Sequence, residues 1–260
     1  MTRPQDVGNI VTCDLGFAQD YTAISVISRT EHLTGLTRRR WEIEAYVLEE
    51  EWKNHYELRW LERPPLKTSY PAIVDRLAML MEHEDLKGNS TLVVDATGVG
   101  RPVVQMMQER GLHPVPVVVV GGTKESIDDD DGTFRVPKKI IVSSLQVLFQ
   151  QRRLKVSKSL PLVPAFLKEL DNFKMKKNID TGNTSYEAWR ASEHDDLVFA
   201  VGLGAWYGET RLSSKWKLKR LSAQDPLAMR LMRESQERQI EERLDEEASE
   251  GAKILQFRRW

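Results

Sequence analysis

Apolar and polar positions follow two different periods along residues 9–210, and the alternation between them predicts the order of elements. The stretch NIVTCDLGFAQDYTAISVIS (9–28) holds two β-rich apolar runs around Gly16 and Asp20, the pattern of a hairpin. A further strand is expected in WEIEAYVLEEEW (41–52). In SYPAIVDRLAMLMEH (69–83) the spacing of Ile73, Leu77, Leu80 and Met81 places them on one side of a helix. STLVVDATGVG (90–100) reads as a short buried strand ending in a glycine turn, continued by a helix in PVVQMMQERG, and HPVPVVVVGG (113–122) as another buried strand. An acidic, glycine-containing loop, KESIDDDDGTFRVPKK, leads into a helix over KKIIVSSLQVLFQQRR (138–153). Further helices are expected over 160–173 and 194–209.

A hairpin followed by strands alternating with helices describes an α/β protein with a mixed central sheet, an antiparallel edge on a parallel half, flanked by helices. The first strand and the 90–95 strand belong side by side near its middle. The run Leu197–Trp206 is apolar around its whole circumference, so the last helix should be buried, with Gly202 and Gly204 permitting close approach to the sheet. Two regions are expected: 1–210 as the folded domain, and 211–260 as a charged helical or partly disordered tail. RLSSKWKLKR (211–220) carries only basic charges, whereas EERLDEEASE (241–250) carries six acids against one arginine.

Composition narrows the class. With 40% hydrophobic and 30% charged residues, the chain is neither disordered nor a membrane protein by composition. A net charge of -1 gives no overall basic field, so any contact with nucleic acid must rest on local patches. The single cysteine, Cys13, rules out an internal disulfide framework and fits a reducing compartment. MTRPQDVGNI lacks the apolar core of a signal peptide, and no run of about 18 apolar residues is present. A cytoplasmic protein with no membrane partner is the expectation.

The chemistry concentrates on acids at element ends. Asp14 lies inside the first apolar strand, Asp95 ends the strand TLVVD, and Asp195 and Asp196 open the last core helix. An unpaired mid-strand aspartate is unfavourable, so Asp14 is hard to explain by structure alone. Asp95 also reads as a turn residue. Adjacent helix positions point about 100° apart, so one member of the Asp195–Asp196 pair suits a cap and the other a site. Strands of an open α/β sheet present their carboxyl ends as sites, and carboxylates gathered there repel unless a cation offsets them. Oxygen ligands suit Mg2+ or Mn2+, and two such ions roughly 3.5–4 Å apart serve phosphoryl transfer. His194 reads as a surface residue, a cap neighbour or an outer member of such a site. Asp20 reads as a turn residue, and Asp128 to Asp131 as a solvated loop.

The ordered set VTCDLGFAQDYTAISVI, LVVDATGVGRPVVQMMQERG, FRVPKKIIVSSLQVLFQQRRLKV, LVPAFLKELDNF and EHDDLVFAVGLGAWY resembles the nuclease domain of phage terminase large subunits over roughly residues 9 to 208. The resemblance implies an RNase H-like fold, related to Holliday-junction resolvases and retroviral-type integrases. It implies divalent-metal-dependent cutting of concatemeric viral DNA during genome packaging. Carried over residue by residue, Asp14 bridges two ions, Asp95 and Asp196 each complete one, Asp195 is the fallback ligand, and His194 contacts metal or phosphate. Candidate contacts to the DNA backbone are Arg101, Lys138 and Lys139 at helix starts, and Lys174, Lys176 and Lys177 in KMKKN, because phosphate neutralisation dominates such affinity.

The sequence has no G-x-x-x-x-G-K-[ST] phosphate loop, so a packaging ATPase is expected outside it. The chain is then either an excised nuclease domain or a protein working beside a separate motor. The stretch after residue 210 is a candidate for docking to a motor, a portal or a small terminase subunit. Three rivals remain at this stage: an actin- or sugar-kinase-type ATPase, for which DLGFAQDYT is a loose phosphate loop; a junction resolvase or recombinase of the same fold; and an assembly factor that does not cut.

Overall fold

The computed structural model describes residues 4–16, 20–42, 45–98, 100–177, 195–212 and 216–218, with scattered positions between 229 and 240. In chain order the elements are β1 (Gln5–Asp14), β2 (Ala23–Glu42), β3 (Ala45–Glu62), α1 (Tyr70–Met81), β4 (Ser90–Asp95), α2 (Gly100–Glu109), β5 (Pro114–Val120), β6 (Ser126–Ile127), β7 (Phe134–Pro137), α3 (Lys138–Gln150), β8 (Leu154–Val156), α4 (Val163–Lys177), α5 (Asp196–Thr210) and β9 (Trp216–Leu218). They divide into two compact units, Met1–His32 with Lys53–Ser213, and Leu33–Trp52 with Ser214–Trp260.

In the first unit the strands form a mixed α/β sheet in the order β6-β7-β5-β4-β1-β2-β3-β8, β2 contributing residues 23–32 and β3 residues 53–62. β1 pairs antiparallel with β2, Asp14 opposite Ala23, and parallel with β4, Asn9 to Asp14 matching Ser90 to Asp95. β4–β5 and β5–β7 are parallel, and β6–β7 is antiparallel. The central strands are apolar on both faces because both are covered. Val11, Cys13, Leu92 and Val94 pack with Ile73, Val74 and Leu77 of α1 and Val103 and Met107 of α2. Ile10 and Val93 point the other way, into a cluster with Ile141 and Leu145 of α3, Phe166 of α4 and most of α5.

α5 is buried on nearly all sides, from Asp196 through Trp206. Its glycines allow this. A Cβ on Gly204 would come 2.7 Å from Ile27 and 3.1 Å from Thr12, so the helix backbone lies directly on β1 and β2. Thr12 Oγ1 donates to the carbonyl of Ala200 at 2.9 Å and lies 2.6 Å from Ser25 Oγ, a buried polar link between helix and sheet. Among the described residues, no helix is long and apolar enough to cross a membrane.

Several boundaries differ from the pattern in the sequence. β3 reaches Glu62, ten residues beyond the expected strand, because Asn54, Tyr56 and Leu58 are buried in strict alternation with His55, Glu57 and Arg59. The acidic loop contains a small hairpin, β6–β7, and β8 and β9 are short strands without an apolar signature. In the second unit β9 pairs antiparallel with Glu49–Glu51 of β3. There Arg38 bonds Glu49 at 2.6 Å and lies 4.3 Å from the centre of the Trp216 ring.

Candidate functional site

β1 and β4 deliver Asp14 and Asp95 as register partners at the carboxyl ends of adjacent parallel strands. Side chains alternate across a strand, so Asp14 shares the face of Ile10 and Thr12, and Asp95 that of Val93. That is the α5 face, and α5 begins with Asp196. Asp95 and Asp196 are 7% and 5% exposed. Gly16 closes the connection out of β1. Its amide donates to Thr22 Oγ1 at 3.2 Å, and a Cβ there would strike the backbone of Asp20 and Tyr21.

The electrostatics show one cluster. Burial pushes the Asp14 carboxyl well above the usual range, and the charges of Asp95, Asp196 and Asp195 push it further, with Lys138 opposing. Burial also raises Asp95, against hydrogen bonding from Thr97 and the charge of Lys138. Asp196 is raised to about 7, chiefly by burial, with Arg63 pulling it down and Asp195, Glu169 and Asp20 adding to the rise. Burial, and after it the charges of Asp14, Asp95 and Glu62, raise the Cys13 thiol on the opposite face.

Each of three carboxylates is also engaged by the protein. Asp95 Oδ1 accepts from Thr97 N–H at 2.8 Å, so it serves its turn as well. Asp195 Oδ2 accepts from Lys138 Nζ at 3.2 Å. Asp196 Oδ2 lies 3.4 Å from Arg63 Nη2. With the side chains so held, among the described residues no three of His, Cys, Asp and Glu close around a single point. The donor set is nonetheless one of hard oxygens whose mutual repulsion a divalent cation offsets, and on that chemistry the residues fit Mg2+ or Mn2+.

The sequence-level candidates thus divide. Asp14, Asp95, Asp195 and Asp196 come together at one end of the sheet. Lys138, at the first position of α3, turns inward to Asp195 and over the Phe199 ring at 5.2 Å, and burial lowers its ammonium pKa. Lys139 is exposed beside it and lines a groove with Thr123, Ile140 and Ser143. Arg101 is exposed and paired with Asp131 at 3.0 Å. His194 and the side chains of Lys174, Lys176 and Lys177 lie outside the described residues. Asp128 and Asp131 are consumed by their own turn and by Arg135 and Arg101.

Asp195 occupies the N-cap position of α5, yet its side chain makes no capping bond. The expectation that one of the pair caps the helix is therefore not met by Asp195: its carboxylate is drawn away by Lys138. The cap comes from Glu169 of α4, whose Oε2 accepts from Leu197 N–H at 3.1 Å and Val198 N–H at 3.3 Å. Glu169 is in turn held by Arg63. Neither residue stands out in the sequence. The only trace is that Arg63 directly follows the strand end at Glu62, and that Glu169 adjoins the buried Leu170.

The family model described as Terminase RNaseH-like domain matches residues 11–204. The chain belongs to that family. No curated protein matches its sequence. Among solved structures it is similar to the manganese-soaked terminase nuclease domain of human cytomegalovirus, at 12% identity and TM-score 0.46, over 82% of this chain and 88% of that one. It is also similar to the manganese-soaked, inhibitor-bound form of that domain, at 12% identity and TM-score 0.45, over 80% and 86%. A third form, the same domain named without manganese, gives 14% identity and TM-score 0.44, over 81% and 87%.

Proposed function

We propose that this terminase RNase H-like domain is a divalent-metal-dependent DNA endonuclease, cutting double-stranded DNA during genome packaging with Mg2+ or Mn2+, two ions serving the site. The observation that carries this is the register pairing of Asp14 with Asp95 on the face where α5 presents Asp196 and Asp195. Such a concentration of buried negative charge destabilises the fold and has no local structural use at Asp14.

Asp14, Asp95 and Asp196 would hold the metal, and Asp195, paired with Lys138, would be a further donor. Bound Mg2+ or Mn2+ supplies Lewis acidity toward a phosphodiester and lowers the pKa of water. The chain's own residues prepare the place. α5 fixes its first turn rigidly because the rest of the helix is locked into the core. Lys138 keeps part of the negative charge balanced until metal and phosphate arrive. Arg101 and Lys139, both exposed at helix starts, are placed to neutralise backbone phosphates, contacts that position a duplex without reading its sequence. A motor ATPase, a portal or a small terminase subunit remains the proposed packaging partner, with the stretch after residue 210 as docking segment.

The test is nicking and linearisation of supercoiled plasmid with Mn2+ or Mg2+. Cleavage is expected with either metal, none with EDTA, and none in Asp14→Ala or Asp95→Ala at unchanged folding. Undiminished cutting by both variants refutes the site. DNA binding without cutting in either metal refutes the nuclease activity.

A further inference from the structure

We infer that Arg63 and Glu169 are positioning residues that fix the first turn of α5 and, through it, the Asp196 carboxylate for metal binding. The inference rests on the metal-dependent reading of the acidic edge.

A helix start leaves N–H groups that need acceptors. For α5 they come from another helix. Glu169 Oε2 receives Leu197 and Val198, while Glu169 Oε1 receives Arg63 Nη2. The same Nη2 stands 3.4 Å from Asp196 Oδ2. The guanidinium lies 5.0 Å from the centre of the Tyr21 ring, in the connection between β1 and β2. The end of β3, the body of α4 and the β1–β2 connection therefore hold one helical turn from three directions. Glu169 holds its backbone by hydrogen bonds, and Arg63 reaches its carboxylate as an ion pair at 3.4 Å rather than as a hydrogen bond.

A simple cap does not explain this arrangement. A single neutral acceptor is the usual side-chain cap of a helix start, as serine or asparagine provides elsewhere. Here three charges are sequestered, with side-chain exposures of 16% for Arg63, 9% for Glu169 and 7% for Asp196. Buried ion networks are often no more stable than apolar replacements of the same volume. Among the described residues Arg63 Nε is buried without a hydrogen-bond partner, so the network is not optimised for stability. What it does achieve is orientation of an acid at the carboxyl edge of the sheet.

The decisive variant is Arg63→Gln in the full chain, which leaves the Glu169 cap in place. Glu169→Gln keeps one acceptor for the N–H groups and is the second variant. Both are measured for thermal stability, for Mn2+ affinity by calorimetry without DNA, and for kcat and KM on plasmid. On charge alone, removing a cation beside the cluster tightens Mn2+ binding. The positioning role predicts the opposite: Arg63→Gln binds Mn2+ at least tenfold more weakly, kcat falls at least tenfold, and KM for DNA stays within twofold. Arg63→Lys recovers part of both losses. Glu169→Gln follows the same direction.

If Arg63→Gln, folded at the assay temperature, binds Mn2+ as tightly as wild type or more tightly, the inference is overturned while the nuclease reading stands. If wild type itself neither binds Mn2+ nor cuts DNA, both fall together. If Arg63→Gln does not fold, Glu169→Gln decides by the same two measurements.

Discussion

Raising the pH from 5 to 8 should strengthen Mn2+ binding while destabilising the metal-free chain, and one carboxyl accounts for both. Asp196 is raised from 3.8 to about 7, mainly by burial. A proton and a cation compete for it, so with a single proton of that pKa the ionised fraction is about one half at pH 7, about a tenth at pH 6 and about a hundredth at pH 5. Mn2+ affinity should thus fall about tenfold per pH unit below 7, and at least that steeply because Asp14 and Asp95 are raised too. The stability effect has the opposite sign. An acid whose folded pKa lies above its unfolded value binds more protons in the native state, so its contribution is favourable at low pH and is lost as pH rises from about 4 to about 7. After solvent screening the loss is on the order of 2–4 kcal/mol. The assay is Mn2+ calorimetry at pH 5, 6, 7 and 8, paired with denaturant melts in EDTA, for wild type and Asp196→Asn. The difference between the two chains isolates this group from other titrating acids. Asp196→Asn should be the more stable metal-free protein at pH 8 and should bind Mn2+ with a slope lower by one proton. An identical pH dependence in both chains would refute the reasoning.

Three further outcomes follow from the packing and the charges. In Gly208→Ala the new Cβ would stand 2.6 Å from Cε1 and Oη of Tyr56, whose hydroxyl is already committed to Glu209 at 2.8 Å. Overpacking of about 1–3 kcal/mol should exceed the roughly 1 kcal/mol helix advantage of alanine, so a melting temperature equal to or above wild type would contradict this contact. Thr12→Val keeps the shape but removes the hydroxyl that joins Ser25 to the Ala200 carbonyl, and chemical denaturation should show a loss of about 1–3 kcal/mol. Arg101→Ala should lower the slope of log affinity for DNA against log salt by about one if the residue leaves Asp131 for a phosphate. An unchanged slope assigns Arg101 to its ion pair alone.

The parts of the fold visible in the sequence are those where burial dictates composition. β1 and β4 are covered on both faces, so Ile10, Val11 and Cys13, and Leu92 to Val94, had to be apolar in succession. α5 is enclosed all round and reads as a continuous apolar helix for the same reason. The outer lengths of β2 and β3, and the short strands β6 and β9, carry no such requirement. Their backbone bonds are satisfied by neighbours, while side chains such as Ser126, Ile127 and Leu218 stay in solvent. Their composition is therefore that of a loop.

The site was legible to the degree that its residues are locally unsatisfied. Asp14 stands out because it directly follows an apolar run; the sequence pattern reads it as mid-strand, whereas it is the last residue of β1, where a carboxylate opens onto the sheet's edge. Asp95 is ambiguous for a physical reason, since it bonds the Thr97 amide and belongs to its turn as well as to the cluster. For the pair at the start of α5, the 100° offset separates the two side chains, but the cap it suggested for one of them is supplied by Glu169 instead. Lys138, 57 residues earlier, takes Asp195, and Arg63 takes Asp196. The cap was illegible because it is supplied from 28 residues upstream, by an acid beside an apolar stripe, a placement shared by many surface glutamates. Arg63 joins Glu169 across 106 residues. A residue that is costly where it stands announces a site, whereas one whose cost is met by a distant partner is visible only after the chain has folded. That difference explains why the acids of the proposed centre were nameable beforehand and the pair that orients them was not.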